Sequence, residues 1–140
     1  MLYLDTSILL AYYCPETFTD AVTKLLTANP RPAISPLNEV EFASAVSLKV
    51  RSRQLDRRDA GRLLILFRKH ISDGLYQVAP IESRHFSQAG QWLEQCATPL
   101  RSLDALHMAV AFFADATLAT ADQRLAESAA HFGVKHRRIG

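Results

Sequence analysis

Four acidic residues stand where an acid is awkward: Asp5, Glu41, Asp104 and Asp122. Asp5 closes the apolar start MLYL, and a helical pattern resumes at once with Thr6 and Ser7 beside it. Asp122 repeats that arrangement after ATLAT. Asp104 lies in the first turn of LDALHMAVAF. Helical spacing puts Leu100, Leu103, His107, Met108 and Ala111 on its face. Glu41 lies just over one turn into the segment around NEVEFASAV. It shares a face with Leu37, Ala45 and Leu48, where an unpaired carboxylate is costly. Glu39 is its rival, but two positions are roughly 200° apart around a helix, so Glu39 reads as surface. Gathered carboxylates repel unless a cation joins them. Hard oxygen donors at such density suit Mg²⁺ or Mn²⁺, with water completing the coordination. Each acid also has an ordinary role open to it: Asp5 and Asp122 as helix caps, Asp104 as an answer to a helix dipole.

The acids meet only if the chain brings them together. Periodicity and breakers predict strands over 2–5, 33–35, 75–79 and 116–120, with an edge strand over 134–139. Helices are predicted over 6–13, 18–28, 37–53, 83–97, 102–113 and 122–132, and from Asp56 to about Ser72. Ser35 and Asp56 are placed to cap, and Pro36 suits a first turn. Alternating strands and helices indicate an α/β fold with a mainly parallel central sheet and an inserted helix pair within 37–72. No repeat, low-complexity tract or linker interrupts it, so residues 1–140 read as one domain. In a parallel sheet the carboxyl ends of the strands share one edge, where ligand sites form. Asp5 and Asp122 then face one region, and helices entering that edge by their N-termini add Asp104 and Glu41.

Composition bounds the alternatives. With 49% hydrophobic and 21% charged residues, the chain suits a packed core rather than disorder. It shows no membrane-length apolar run and no secretory signal, so a cytoplasmic protein is expected. Cys14 and Cys96 read as reduced thiols without a zinc pattern. A net charge of +2 does not by itself announce a nucleic-acid binder. Charge is nonetheless clustered: Arg51, Arg53, Arg57, Arg58, Arg62, Arg68 and Lys69 lie close together, and Lys135 to Arg138 form a second group. His107 reads as a partly buried histidine bonded to a neighbour rather than a general base. Phe67, Tyr76 and Trp92 read as packing. Leu48, Leu55, Leu63, Leu64 and Phe67 offer more apolar surface than a small sheet covers, which suggests a dimer, although core burial explains them nearly as well.

DTS at 5–7, the glutamate within NEVEFASAV, DALH at 104–107 and TAD at 120–122 resemble the PIN domain. More narrowly they resemble VapC-type toxin ribonucleases of prokaryotic toxin–antitoxin pairs. The resemblance spans Leu2 to about Ile139. It carries the family's acidic quartet onto Asp5, Glu41, Asp104 and Asp122. Its hydroxyl residues fall on Thr6, Ser7 and Thr120, while Met108 stands where leucine is commoner. It implies a PIN-like three-layer α/β/α fold with a sheet of four to five strands. It further implies a Mg²⁺- or Mn²⁺-dependent endoribonuclease, with the metal on Asp5, Asp104 and Asp122 and with Glu41 as ligand or base. RNA would be the substrate, a homodimer the assembly, and a cognate antitoxin the partner whose tail fills the acidic groove. An acidic pocket repels RNA, so Arg51, Arg53, Arg57, Arg58 and Arg124 are candidate phosphate contacts, along with the 135–138 group. Arg124 equally suits a surface ion pair. A non-catalytic interaction protein of the same fold is the main rival. A phosphotransfer receiver lacks its strand-end lysine here, and a two-aspartate phosphatase lacks its DxD.

Overall fold

Three short apolar residues organise the chain. In a computed structural model that describes residues 1–140, strand β1 (Leu2–Leu4) is fully buried and lies at the centre of the sheet. It leads into helix α1 (Thr6–Tyr13) and α2 (Thr19–Ala28), then β2 (Ala33–Ile34). Helices α3 (Pro36–Arg51) and α4 (Arg57–Ser72) cross over to β3 (Gln77–Val78). Helices α5 (Ser83–Glu94) and α6 (Ser102–Phe113) precede β4 (Thr117–Thr120), and α7 (Gln123–His131) precedes β5 (His136–Arg138). The strand order is β3-β2-β1-β4-β5 and every pairing is parallel.

A parallel sheet needs cover on both faces, and the period-two alternation of the strands supplies it. Leu2, Leu4, Ile34 and Ala119 point to one side, where they pack with Ile8, Leu9, Val22, Phe42, Val46 and Phe67 from α1 to α4. Tyr3, Ala33 and Leu118 point to the other, where Trp92, Met108, Val110, Leu125 and Ala129 from α5 to α7 meet them. The outcome is the three-layer arrangement expected, with five strands. Each large buried side chain contributes about 1.5–3 kcal/mol. The helix pair at 37–72 packs through Phe42 and Phe67, whose rings lie 4.5 Å apart beside Tyr13. Of the leucines read as surplus there, Leu55, Leu63 and Leu64 lean on this cluster and only Leu48 is largely exposed. Phe67, Tyr76 and Trp92 are core residues as expected, and both cysteines are free.

Boundaries move by a few residues. Helix α3 stops at Arg51 because Arg53 takes a left-handed backbone with φ 62°, and α5 stops at Glu94 because Cys96 does so with φ 53°. Asp122 caps α7 rather than lying in it.

The buried stripe of α3 is Asn38, Phe42 and Val46, not the Glu41, Ala45 and Leu48 face expected to be apolar and buried. Glu41 flanks that stripe and Glu39 points outward, as expected of Glu39. Asn38 is sealed from solvent and fastens α3 to β1: its amide donates to the Leu4 carbonyl at 3.0 Å, and its side-chain oxygen accepts from the Ser35 N–H at 2.8 Å. Asn38→Ala strands these buried groups. It is expected to cost about 2–3 kcal/mol in denaturant unfolding, whereas Glu39→Ala stays within about 0.5 kcal/mol of the parent.

Candidate functional site

The pairing of Leu4 with Ala119 brings the carboxyl ends of β1 and β4 side by side. The Asp5 N–H continues the ladder to the Ala119 carbonyl at 3.1 Å. One residue past β1 and two past β4 the backbone turns into a helix, and the side chains of Asp5 and Asp122 serve as N-caps. Asp5 accepts from the Ile8 N–H at 3.2 Å, and Asp122 accepts from the Arg124 and Leu125 N–H groups at 2.8 and 3.3 Å. The capping role is therefore real for both.

Capping does not exhaust the geometry. Asp5, Glu41, Asp104 and Asp122 line one open pocket of about 250 Å³, with Thr6, Ser7 and His107 in its wall. A neighbouring pocket of about 380 Å³ shares Glu41 and Asp104 and is walled by Arg101, Ser102 and Leu103. The four acids are thus brought to the carboxyl edge of the sheet, from β1, α3, α6 and the start of α7.

The hydroxyl residues arrange these carboxylates. Asp5 is 4% exposed. Its two oxygens accept from Ser7 and Thr120, each at 2.5 Å. Thr120 in turn accepts from the Asp122 N–H at 2.9 Å, and Ser7 from the Ala121 N–H at 2.9 Å. Thr6 donates to Glu41 at 2.7 Å. Glu41 also accepts from His107, which sits one turn beyond Asp104 but bonds to the glutamate instead. His107 is fully buried rather than partly so, and its other ring nitrogen lies 2.7 Å from the Tyr3 hydroxyl. Glu41 therefore has partners in His107 and Thr6, which offset the cost of a carboxylate there.

These surroundings separate the acids electrostatically. Burial pushes the Asp5 carboxyl above its ordinary value, against the pull of Ser7 and Thr120. Burial also raises Asp104, and the nearby charges of Asp122 and Asp5 raise it further. Its one cationic side-chain neighbour other than His107 is Arg101, 3.8 Å away and mostly in solvent. Burial would raise Glu41 too, but the hydrogen bond and charge of His107, helped by Thr6, outweigh it and hold the group below the usual carboxylate range.

No three His, Cys, Asp or Glu side chains form a closed ligand group in these positions. The donor chemistry nonetheless fits a hard divalent cation: three aspartates offer only oxygen around an open pocket, and like charge destabilises one of them.

The arginines are placed less favourably. Arg51, Arg53, Arg57 and Arg58 are exposed at the α3–α4 tip, and none lines the acidic pocket. Arg51 lies ten residues beyond Glu41 along one helix, about 15 Å. Arg124 is exposed and joins the site only through its backbone N–H. Sequence reasoning missed Tyr3, Asn38 and Arg101. The spacing of Asn38, Phe42 and Val46 at four-residue intervals was the available signal for Asn38.

An all-parallel five-stranded sheet with carboxylates gathered at its carboxyl edge defines an α/β protein with an acidic edge site. The PIN domain family model matches residues 2–130, and the chain belongs to that family. Comparison with curated proteins gives no match. Solved structures of similar fold include VapBC2 from Rickettsia felis bound to a fragment of promoter DNA (19% identity, full coverage of both chains, TM-score 0.70). Mycobacterium tuberculosis VapC20, described as a sarcin-ricin loop cleaving toxin, is similar at 19% identity over 91% of this chain and 95% of that one, with TM-score 0.68. A toxin–antitoxin complex from Klebsiella pneumoniae is similar at 17% identity over 90% and 91%, with TM-score 0.68.

The raised Asp104 carboxyl carries a stability consequence. The folded chain holds that proton more tightly than the unfolded chain, so its contribution is present in acid and lost as pH rises through the folded value. Asp104→Asn is therefore expected to raise the melting temperature of the metal-free protein at pH 7 and to leave it nearly unchanged at pH 3. Thermal melts at the two pH values check this.

Proposed function

We propose that this chain is a Mg²⁺- or Mn²⁺-dependent endoribonuclease, the toxin of a toxin–antitoxin pair, working in the cytoplasm as a homodimer held in check by a protein partner. One observation carries the activity: Asp5, Glu41, Asp104 and Asp122, scattered along the chain of a PIN domain, line a single open pocket. The likeness in fold to a loop-cleaving toxin and to a toxin–antitoxin complex supports the assignment to RNA and to such a partner.

Asp5, Asp104 and Asp122 would hold the ion. When bound it would supply an acidified water and offset charge on the phosphate oxygens. The protein's own groups do the rest. Ser7 and Thr120 fix both oxygens of Asp5. Glu41, kept ionised by His107 and Thr6, is the pocket's available proton acceptor. Arg101 borders the pocket and is the nearest cation for a substrate phosphate. Arg124 is exposed and meets the site only through its backbone N–H, and Arg51, Arg53, Arg57 and Arg58 would serve only a longer strand reaching the α3–α4 tip. No helix is long and apolar enough to cross a membrane.

A non-catalytic interaction protein is the second reading, and the capping bonds of Asp5 and Asp122 favour it. The two readings differ in their response to metal. The enzyme is expected to gain about 2.7 kcal/mol of stability at Mn²⁺ a hundredfold above its dissociation constant, seen as a rise in melting temperature, whereas the interaction protein gains none.

Cleavage of single-stranded RNA is expected with Mn²⁺ and not without it. Asp5→Asn is expected to abolish it, and full retention would remove the mechanism. Glu41→Gln is expected to slow cleavage about a hundredfold or more, while Glu39→Gln keeps most activity. The reverse pattern would transfer the role to Glu39.

A further inference from the structure

We infer that Tyr3 and His107 are positioning residues, which aim Glu41 at the acidic pocket through a hydrogen-bonded chain anchored in the protein core. This deepens the function proposed above and rests on it for the role of Glu41. His107 is 1% exposed and stands between the two. Its Nδ1 lies 2.7 Å from the Tyr3 hydroxyl, and its Nε2 is bonded to Glu41 Oε1. Tyr3 is sealed in the sheet, with its hydroxyl 2.9 Å from Ser35 Oγ and 3.3 Å from Asn38 Oδ1.

The carboxylate end fixes the direction of the first bond. A carboxylate only accepts, so His107 must donate through Nε2. With Nε2 committed to Glu41, Nδ1 faces the Tyr3 hydroxyl, whose oxygen is in turn within hydrogen-bond distance of Ser35 Oγ. The Tyr3 hydroxyl is sealed from solvent and faces Nδ1 directly, so the ring is held from its far side. Both ring nitrogens of His107 are thereby partnered, one to Tyr3 and one to Glu41.

The anchoring is one-sided at the pocket end. The donors from His107 and Thr6 both fall on Oε1 of Glu41, and Oε2 receives no hydrogen bond from the protein. Glutamate is otherwise a side chain of several rotatable bonds on a half-exposed helix flank. Two donors on one oxygen lock its orientation and leave the other oxygen free to accept from a reacting group. Loss of this chain would misplace Glu41 without removing it, which affects turnover more than substrate binding.

Two measurements test the assignment. In the metal-free protein, ¹⁵N-histidine spectra at neutral pH are expected to show His107 protonated on Nε2, with the signal shifting in Glu41→Gln. An unprotonated Nε2 would overturn the inference, whatever the protein does to RNA. In the Mn²⁺-loaded enzyme, His107→Leu and Tyr3→Phe are expected to lower kcat about tenfold or more with KM within about twofold. His107→Gln, which retains an N–H donor, recovers most of the loss. Full kcat in a folded His107→Leu or Tyr3→Phe protein would overturn it, as would a His107→Gln no better than His107→Leu. Tyr3→Phe removes a single oxygen and keeps the test open if His107→Leu does not fold. If the parent protein cleaves no RNA under any metal, the proposed function fails, while the histidine spectra still decide the hydrogen-bonded chain.

Discussion

A carboxylate almost closed off from water is expensive, and Asp5 stands at the end of the central strand in that condition. The architecture around it offsets the cost. The hydroxyls of Ser7 and Thr120 take one oxygen each, and the Ile8 N–H adds a third donor. These donors come from two segments more than a hundred residues apart in the sequence, and only the parallel pairing of Leu2–Leu4 with Thr117–Thr120 puts them together. The same pairing delivers Asp122, whose backbone N–H is held by Thr120. Stabilising one buried acid thus places a second carboxylate, and the charges of the two push up the third, Asp104.

The second half of the pocket is built on a different principle. Glu41 and Asp104 come from helices on opposite faces of the sheet, and His107 reaches across to bond the glutamate. Tyr3 and Asn38 extend that bond into the core and to the Leu4 carbonyl. Glu41 and Asp104 therefore differ in kind although both are acids at one rim. One is held ionised by donors, while the other is raised by burial and by its neighbours' charge. Such divergence between adjacent titratable groups is common where chemistry is performed.

Much of this was legible in the residues themselves. Apolar runs ending in Asp5 and near Asp122 marked strand ends, and Ser35, Pro36 and Asp56 marked helix boundaries where they fall. Those signals are local: a cap or a breaker acts on the backbone within a turn of itself. Glu41 was selected over Glu39 on a face expected to be apolar and buried, and the face that is buried runs instead through Asn38, Phe42 and Val46. Which stripe of a helix faces inward depends on what lies beneath it, and Leu48 at 57% exposed shows how far helical spacing alone misleads. Arg53 and Cys96 ended their helices early through left-handed backbone that no residue type announced.

By itself the sequence determined the alternation of strand and helix, the α/β class and the identity of the acids at strand ends and helix starts, because each follows from short-range preference and hydrophobic period. Only the tertiary structure decided that His107 belongs to Glu41 rather than to Asp104, that Tyr3 and Asn38 stand behind it, and that the arginines of the α3–α4 tip lie away from the pocket. Hydrogen bonds between residues sixty to a hundred positions apart depend on register and burial. Those are set by the whole sheet closing at once, and no window of sequence contains them.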